Sequence, residues 1–161
     1  DIGDIFVQNG LQNANSILSS GNIIFTSSNP RNEILDTIKI ALDNRYQYNI
    51  DVFIKDINEI KDIINNNVYE NKKGYYLQTF ICDSGIENIL MKEFNKITPL
   101  ENEQATINNN KFYWYYDKST RWNSKFLQVI SRERLKHLFT LRTLSTMIKV
   151  ANALDEVVEN T

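Results

Sequence analysis

The sequence predicts an α+β fold built from two small ferredoxin-like, split β-α-β plaits with helices at the C-terminal end. Three observations predict it. Short strand and helix patterns alternate along the 161 residues, polar turns join several strands as hairpins, and no long crossover of the doubly wound type is visible. Two cycles of this order meet near residues 48–52. The expected divisions are a first plait over residues 1–50, a second over 51–130, and helices over 131–161 packing on the body.

Each element has a local reason. Ile17 to Ser20, then Gly21-Asn22, then Ile23 to Thr26 reads as a β-hairpin, with β-branched residues flanking a polar glycine turn. Asn29-Pro30 is placed to start a helix, the Asn as cap and the Pro at the first helical position. Ile34, Leu35, Ile38, Ala41 and Leu42 continue it as one apolar stripe to about Asn44. Ile50 to Ile54 reads as a strand. Asp56 and Glu59 resemble a capping box for a helix with Ile57, Ile60, Ile63 and Ile64 inward.

Tyr75 to Cys82 is expected to be a strand. Ser84 with Glu87 is a second capping box, opening a helix with Ile86, Ile89, Leu90, Phe94 and Ile97 inward, and Pro99 closes it. Gln104 to Ile107 and Lys111 to Tyr116 form a hairpin across Asn108-Asn109-Asn110, since Asn tolerates turn conformations. Two helices are expected to end the chain, over about Ser131–Phe139 and Thr143–Glu156. In the last, Leu144, Met147, Ile148, Ala151, Leu154 and Val158 have helical spacing, with Leu144, Ile148, Ala151 and Leu154 expected at the core.

Composition narrows the function classes. Hydrophobic residues make up 42% and charged residues 24%, ordinary globular values that allow a real core. No run of about eighteen apolar residues is present, so no membrane helix is expected. The start lacks Met and the pattern of a signal peptide, so a start upstream of Asp1 and a cytoplasmic location are expected. Cys82 is the single cysteine and His137 the single histidine. That excludes an internal disulfide and disfavours a zinc site. Cys82 closes an apolar strand and reads as a small buried group. No nucleophile–base pair or glycine-rich phosphate loop appears, so no cofactor is expected and no catalytic set is assigned.

The formal charge of −2 hides an asymmetry. Residues 1–117 carry ten bases against sixteen acids, whereas residues 118–149 carry eight bases and one acid. Such a block either faces an anionic partner or docks on the acidic part of its own chain.

Three segments carry a resemblance. Ser19-Ser20-Gly21-Asn22-Ile23-Ile24-Phe25 resembles the segment Y-I-x-S-G-N-V-x-F of domain-of-unknown-function family 1697, a group of uncharacterised bacterial proteins. Ser124-Lys125-Phe126 after an aromatic hairpin is similar to its G-R-S-K-L. Thr140 to Val150 is similar to its T-T-R-N-W-N-T-V-x-K-L, with Thr143, Leu144 and Ser145 in place of Asn, Trp and Asn. The resemblance implies a pair of ferredoxin-like subdomains and carries no assigned reaction. The family's opening strand, L-R-G-I-N-V-G-G, and the helix after it have no counterpart in this reading.

The candidate site is an anion cradle. Arg121, Lys125 and Arg142 supply charge, and Ser124, Thr143 and Thr146 supply hydroxyls. Free N–H groups at the start of the last helix favour an anion further. Asn22, in the Ser20-Gly21-Asn22 turn, can present an amide, although such a triplet is ordinarily just a turn. Phe112 to Tyr116 with Arg121-Trp122 offer rings for nucleobases, but the acidic first 117 residues disfavour nucleic acid. The expected function is therefore binding of a small anionic or nucleotide-like ligand in a cleft between subdomains. The alternative is a non-enzymatic interaction protein that self-associates, for instance as a homodimer.

Overall fold

The structure is a computed structural model that describes residues 2–18 and 21–159. It is a mixed α+β fold with two antiparallel sheets and a long C-terminal helix. The chain forms two compact units. One comprises the chain up to Ile57 together with Ile148 onward, and the other is Asn58–Met147. None of the helices is long and apolar enough to cross a membrane among the described residues.

The first unit opens with helix α1 (Ile2–Gln8), an element that the sequence reading did not contain. Gly10 ends it at φ +83°, with Leu11 N–H donating to Phe6 O and Gly10 N–H to Val7 O. This helix stop needs a left-handed residue, and it delivers Leu11 into the core. Strands β1 (Gln12–Ile17) and β2 (Asn22–Thr26) pair antiparallel, Ile17 opposite Asn22, as expected. Ser19 and Ser20 of the expected turn lie outside the described residues. Helix α2 (Arg31–Arg45) buries Ile34, Ile38 and Leu42.

Asn29 does not cap α2. The residue before the helix is Pro30 in an extended conformation, and the Asn29 N–H instead donates to Ser27 Oγ. The core of this unit is Ile5, Phe6, Leu11, Ile34, Ile38 and Leu42. Ile23, Phe25, Ile50, Val52 and Ile54 pack against it, with the Phe6 and Phe25 rings edge to face. The expected strand Ile50–Ile54 pairs with no strand. Its apolar residues reach the core at every second position, but no ladder partner lies beside it among the described residues, and the unit's sheet has two strands.

The second unit holds α3 (Ile57–Asn65), β3 (Tyr75–Cys82), α4 (Ile86–Asn95), β4 (Gln104–Asn108), β5 (Lys111–Asp117), a 3-10 turn over Lys118–Asn123, α5 (Lys125–Ile130), α6 (Glu133–Lys136) and β6 (Phe139–Thr143). Its four strands are ordered β4-β5-β3-β6, all neighbours antiparallel. Asn109 and Asn110 turn the β4–β5 hairpin at φ 48° and 62°, the two-residue geometry that suits twisted strands. Alternation divides the sheet into two faces. Phe80, Phe112, Trp114, Tyr116 and Leu141 meet Leu90, Phe94, Phe126 and Ile130 on one. On the other, Tyr113 donates its hydroxyl to Ile63 O of α3 at 2.5 Å, and Tyr69, Tyr115 and Tyr75 form a stack with centroids 4.9 Å apart at each step.

Several expectations are corrected here. Glu87 does reach back to the start of α4, accepting from Gly85 N–H at 2.8 Å, but the cap residue is Gly85 at φ +100° rather than Ser84. Ile89 points outward. The expected helix Ser131–Phe139 shrinks to α6, because Phe139 to Thr143 alternate and supply β3 with its second partner. Segment Lys125–Ile130, unassigned in the sequence, is α5. The last helix, α7 (Leu144–Glu159), buries Met147, Val150 and Ala151. Ile148, expected in the core, is 40% exposed, because the buried stripe is rotated by about one residue.

Candidate functional site

A buried carboxylate sets the geometry of the turn after β5. Glu103, nearly fully buried, accepts from Leu100 N–H on one oxygen. Its other oxygen accepts from Trp114 Nε1 at 2.9 Å and from Ser124 Oγ at 2.5 Å. Three donors replace water around the charge, as a buried carboxylate requires. Ser124 Oγ also accepts from Leu127 N–H and caps α5. The segment entering α5 is thereby pinned to the sheet.

Asp117 fixes the other end of the turn. Its carboxylate accepts from the backbone N–H and hydroxyl of Ser119, and these bonds hold its carboxyl below the usual range. Lys118 donates its N–H to Gly74 O and sets its ammonium 4.7 Å from the Tyr76 ring. Between the two anchors stand Arg121 and Trp122. The Trp122 indole is 80% exposed, with the Arg121 guanidinium 5.4 Å from its centroid. Arg121 Nε is buried with no hydrogen-bond partner among the described residues. Burial raises the pKa of the Tyr116 hydroxyl, while a hydrogen bond from Gln78 and the Arg121 charge pull the other way.

The expected cradle does not assemble as one site. Arg121, Ser124 and Lys125 share this turn, but Ser124 is fully buried and its hydroxyl is committed to Glu103 and Leu127. Lys125 is exposed at the first position of α5. Arg142 follows Leu141 in β6, so alternation sends it to the sheet face opposite Trp114 and Ser124. There its guanidinium donates to Thr140 Oγ1 at 2.7 Å and Leu141 O at 2.6 Å, and burial lowers its pKa. Thr143 Oγ1 accepts from Thr146 N–H and lies 3.1 Å from both Thr146 Oγ1 and Ser145 Oγ, which caps α7 from within. Asn22 donates to Ile17 O across the hairpin of the first unit.

Sequence reasoning missed Glu103. Its signal is faint: one acid just ahead of a strand that pairs beside Trp114. Trp122 was visible as an aromatic inside a basic block, yet nothing in the sequence sets it outside while Trp114 goes inside. Among the described residues no group of three or more His, Cys, Asp or Glu is placed to hold a metal ion.

Fold and site define a two-unit α+β protein with antiparallel sheets. The chain belongs to the family described as "Protein of unknown function (DUF1697)", whose model matches residues 1–113. The match ends inside β5, ahead of the Lys118–Lys125 turn. In solved structures it is similar to the conserved bacterial protein SP0830 from Streptococcus pneumoniae. The two chains are 14% identical with a TM-score of 0.76, over 96% of this chain and 87% of that one. At that identity the likeness concerns the fold. No curated protein matches the chain.

Proposed function

We propose that the protein binds a small anionic ligand carrying a planar ring, of the nucleotide class, at the turn Lys118–Lys125. One observation carries the reading: Trp122 is 80% exposed beside Arg121, whose buried Nε has no hydrogen-bond partner among the described residues. An exposed indole is a stacking platform, and its ring adds cation–π attraction to the neighbouring guanidinium. Lys118, Arg121 and Lys125 then offer charge to the anion from one short segment. This replaces the wider cradle, since Arg142 is held on the opposite sheet face. Ser124 acts in this reading by positioning the turn, and Thr143, Thr146 and Asn22 serve their own elements.

The order β-α-β-β-α-β with strand order β4-β5-β3-β6 supports a ferredoxin-like plait for the second unit. The lone cysteine supports a cytoplasmic location, and the likeness to a conserved bacterial protein supports a bacterial-type one.

A second reading has its own support. Exposed tryptophans are over-represented as anchors of protein contacts, so Trp122 also suits a non-enzymatic interaction or self-association surface. Fluorescence decides between them. Trp114 is fully buried, so quenching on titration with nucleoside triphosphates reports Trp122. Saturable quenching that vanishes in Trp122→Phe and weakens in Arg121→Ala supports the ligand. Absence of quenching together with concentration-dependent sedimentation supports self-association.

A further inference from the structure

The strands leading to the Lys118–Lys125 turn hold a polar cluster that the core around it does not satisfy. Tyr76 and Gln78 of β3 stand opposite Tyr116 and Trp114 of β5, so all four side chains share the sheet face of the aromatic core. Gln78 is 5% exposed and Tyr116 1%. The Gln78 amide donates from Nε2 to the Tyr116 hydroxyl at 3.0 Å. Among the described residues nothing donates to Gln78 Oε1, and nothing accepts the Tyr116 proton. Thr143 of β6 lies directly across from Gln78 on its other side, but its hydroxyl is engaged with Thr146 and Ser145.

Arg121 completes the cluster. Its charge bears on the Tyr116 hydroxyl. Its Nε is the single side-chain polar atom that is shut from solvent without a hydrogen-bond partner among the described residues. Gln78 Oε1, equally unpartnered, therefore keeps a path to solvent. The guanidinium joins the inner groups to the outer ones, with its carbon 5.4 Å from the centroid of the exposed Trp122 indole. Buried polar groups left unpaired are costly, and in a folded protein they call for an occupant. The unpaired set is two donors, Tyr116 O–H and Arg121 Nε–H, and one acceptor, Gln78 Oε1. A hydroxyl group is its complement, with one O–H to donate and two lone pairs to accept. An ionised phosphate or a ring carbonyl offers acceptors alone and leaves Gln78 Oε1 unpaired.

We infer that Gln78, Tyr116 and Arg121 Nε form a specificity subsite for a sugar hydroxyl of the ligand, so that the protein takes ribonucleotides in preference to their deoxy forms. The inference rests on the binding reading proposed above and divides the ligand among its groups. The ring stacks on Trp122, the anionic group meets Lys118 and Lys125, and the hydroxyl turns inward past Arg121. A site built to hydrogen-bond a hydroxyl rejects the analogue without it, because its own buried groups are then left unpaired.

The test uses the 161-residue chain and the quenching of tryptophan emission. The four ribonucleoside triphosphates are titrated first, and the tightest is then compared with its 2′-deoxy and 3′-deoxy forms. The inference expects one deoxy form to bind at least about tenfold more weakly than the ribonucleotide. In Tyr116→Phe and in Gln78→Leu that ratio should fall to about twofold or less, through weaker binding of the ribonucleotide alone. Should Gln78→Leu fail to fold, Tyr116→Phe, which removes one oxygen, decides. No quenching by any ribonucleotide overturns the binding reading and this inference with it. Saturable quenching with equal affinities for all three sugars overturns the inference alone and leaves a buried water as the occupant. A tenfold preference that persists in both variants overturns it too, since the hydroxyl is then recognised elsewhere.

Discussion

The Ser124 hydroxyl donates to the Glu103 carboxylate at 2.5 Å while accepting the Leu127 N–H, so one buried oxygen joins the β4 approach to the start of α5. Ser124→Ala therefore removes a helix cap and leaves Glu103 with one donor fewer. The expected loss is about 1–3 kcal/mol, read as a lower urea midpoint with an unchanged slope. Glu103→Leu should cost less than the sum of Ser124→Ala and Trp114→Phe, since all three share one network.

The two tryptophans should separate stability from binding. Trp122→Ala is expected to change stability by no more than about 0.5 kcal/mol, as befits an exposed turn residue. Trp114→Ala should cost about 3–5 kcal/mol, because it empties the core and unpairs Glu103. Thermal melts of the two variants check the contrast.

The rotation of α7 is testable at adjacent positions. Met147→Ala is expected to cost about 2–5 kcal/mol, the range for a fully buried side chain. Ile148→Ala should cost about 1 kcal/mol or less, since Ile148 is 40% exposed. Urea melts with the order reversed would return Ile148 to the core.

Acid sensitivity should trace in part to Glu93. Its hydrogen bond from Arg134 at 3.0 Å, with the charges of Arg134 and Lys96, holds its carboxyl below the ordinary glutamate range. The folded value lies below the unfolded one, so this contribution is complete above the ordinary range. It is lost as pH falls through the lowered folded value. Urea midpoints measured from pH 7 to pH 3 should therefore drop at the acid end. Glu93→Gln should flatten that drop while lowering stability at pH 7.

How much of this was legible follows from which residues carry local signals. Asn109-Asn110 declares its turn because Asn accepts positive φ, and Tyr75 to Cys82 declares its strand by composition. Phe139 to Thr143 did not, since five residues between two helical patterns take strand form only when β3 offers an edge. The stripe of α7 was legible but its facing was not, because Met147 and Ile148 are neighbours on the helix and only the packing selects between them. The cradle failed for the same kind of reason. Closeness of Arg142 and Thr143 in sequence means opposite sheet faces once the segment is a strand.

The tyrosine stack has a consequence for the connection between α3 and β3. Tyr69 lies almost parallel on Tyr115, at 6°, and its backbone N–H and C=O are both held by the Asn67 side chain. Asn108 of the hairpin donates to Asn66 O at the start of the same stretch. Nine residues without regular structure are thus riveted to the sheet at two points, and peeling them away strips the cover from a buried ring. Proteolytic nicking between Asn66 and Gly74 should accordingly be paced by opening of the sheet itself, with the loop behaving as a strut rather than a hinge.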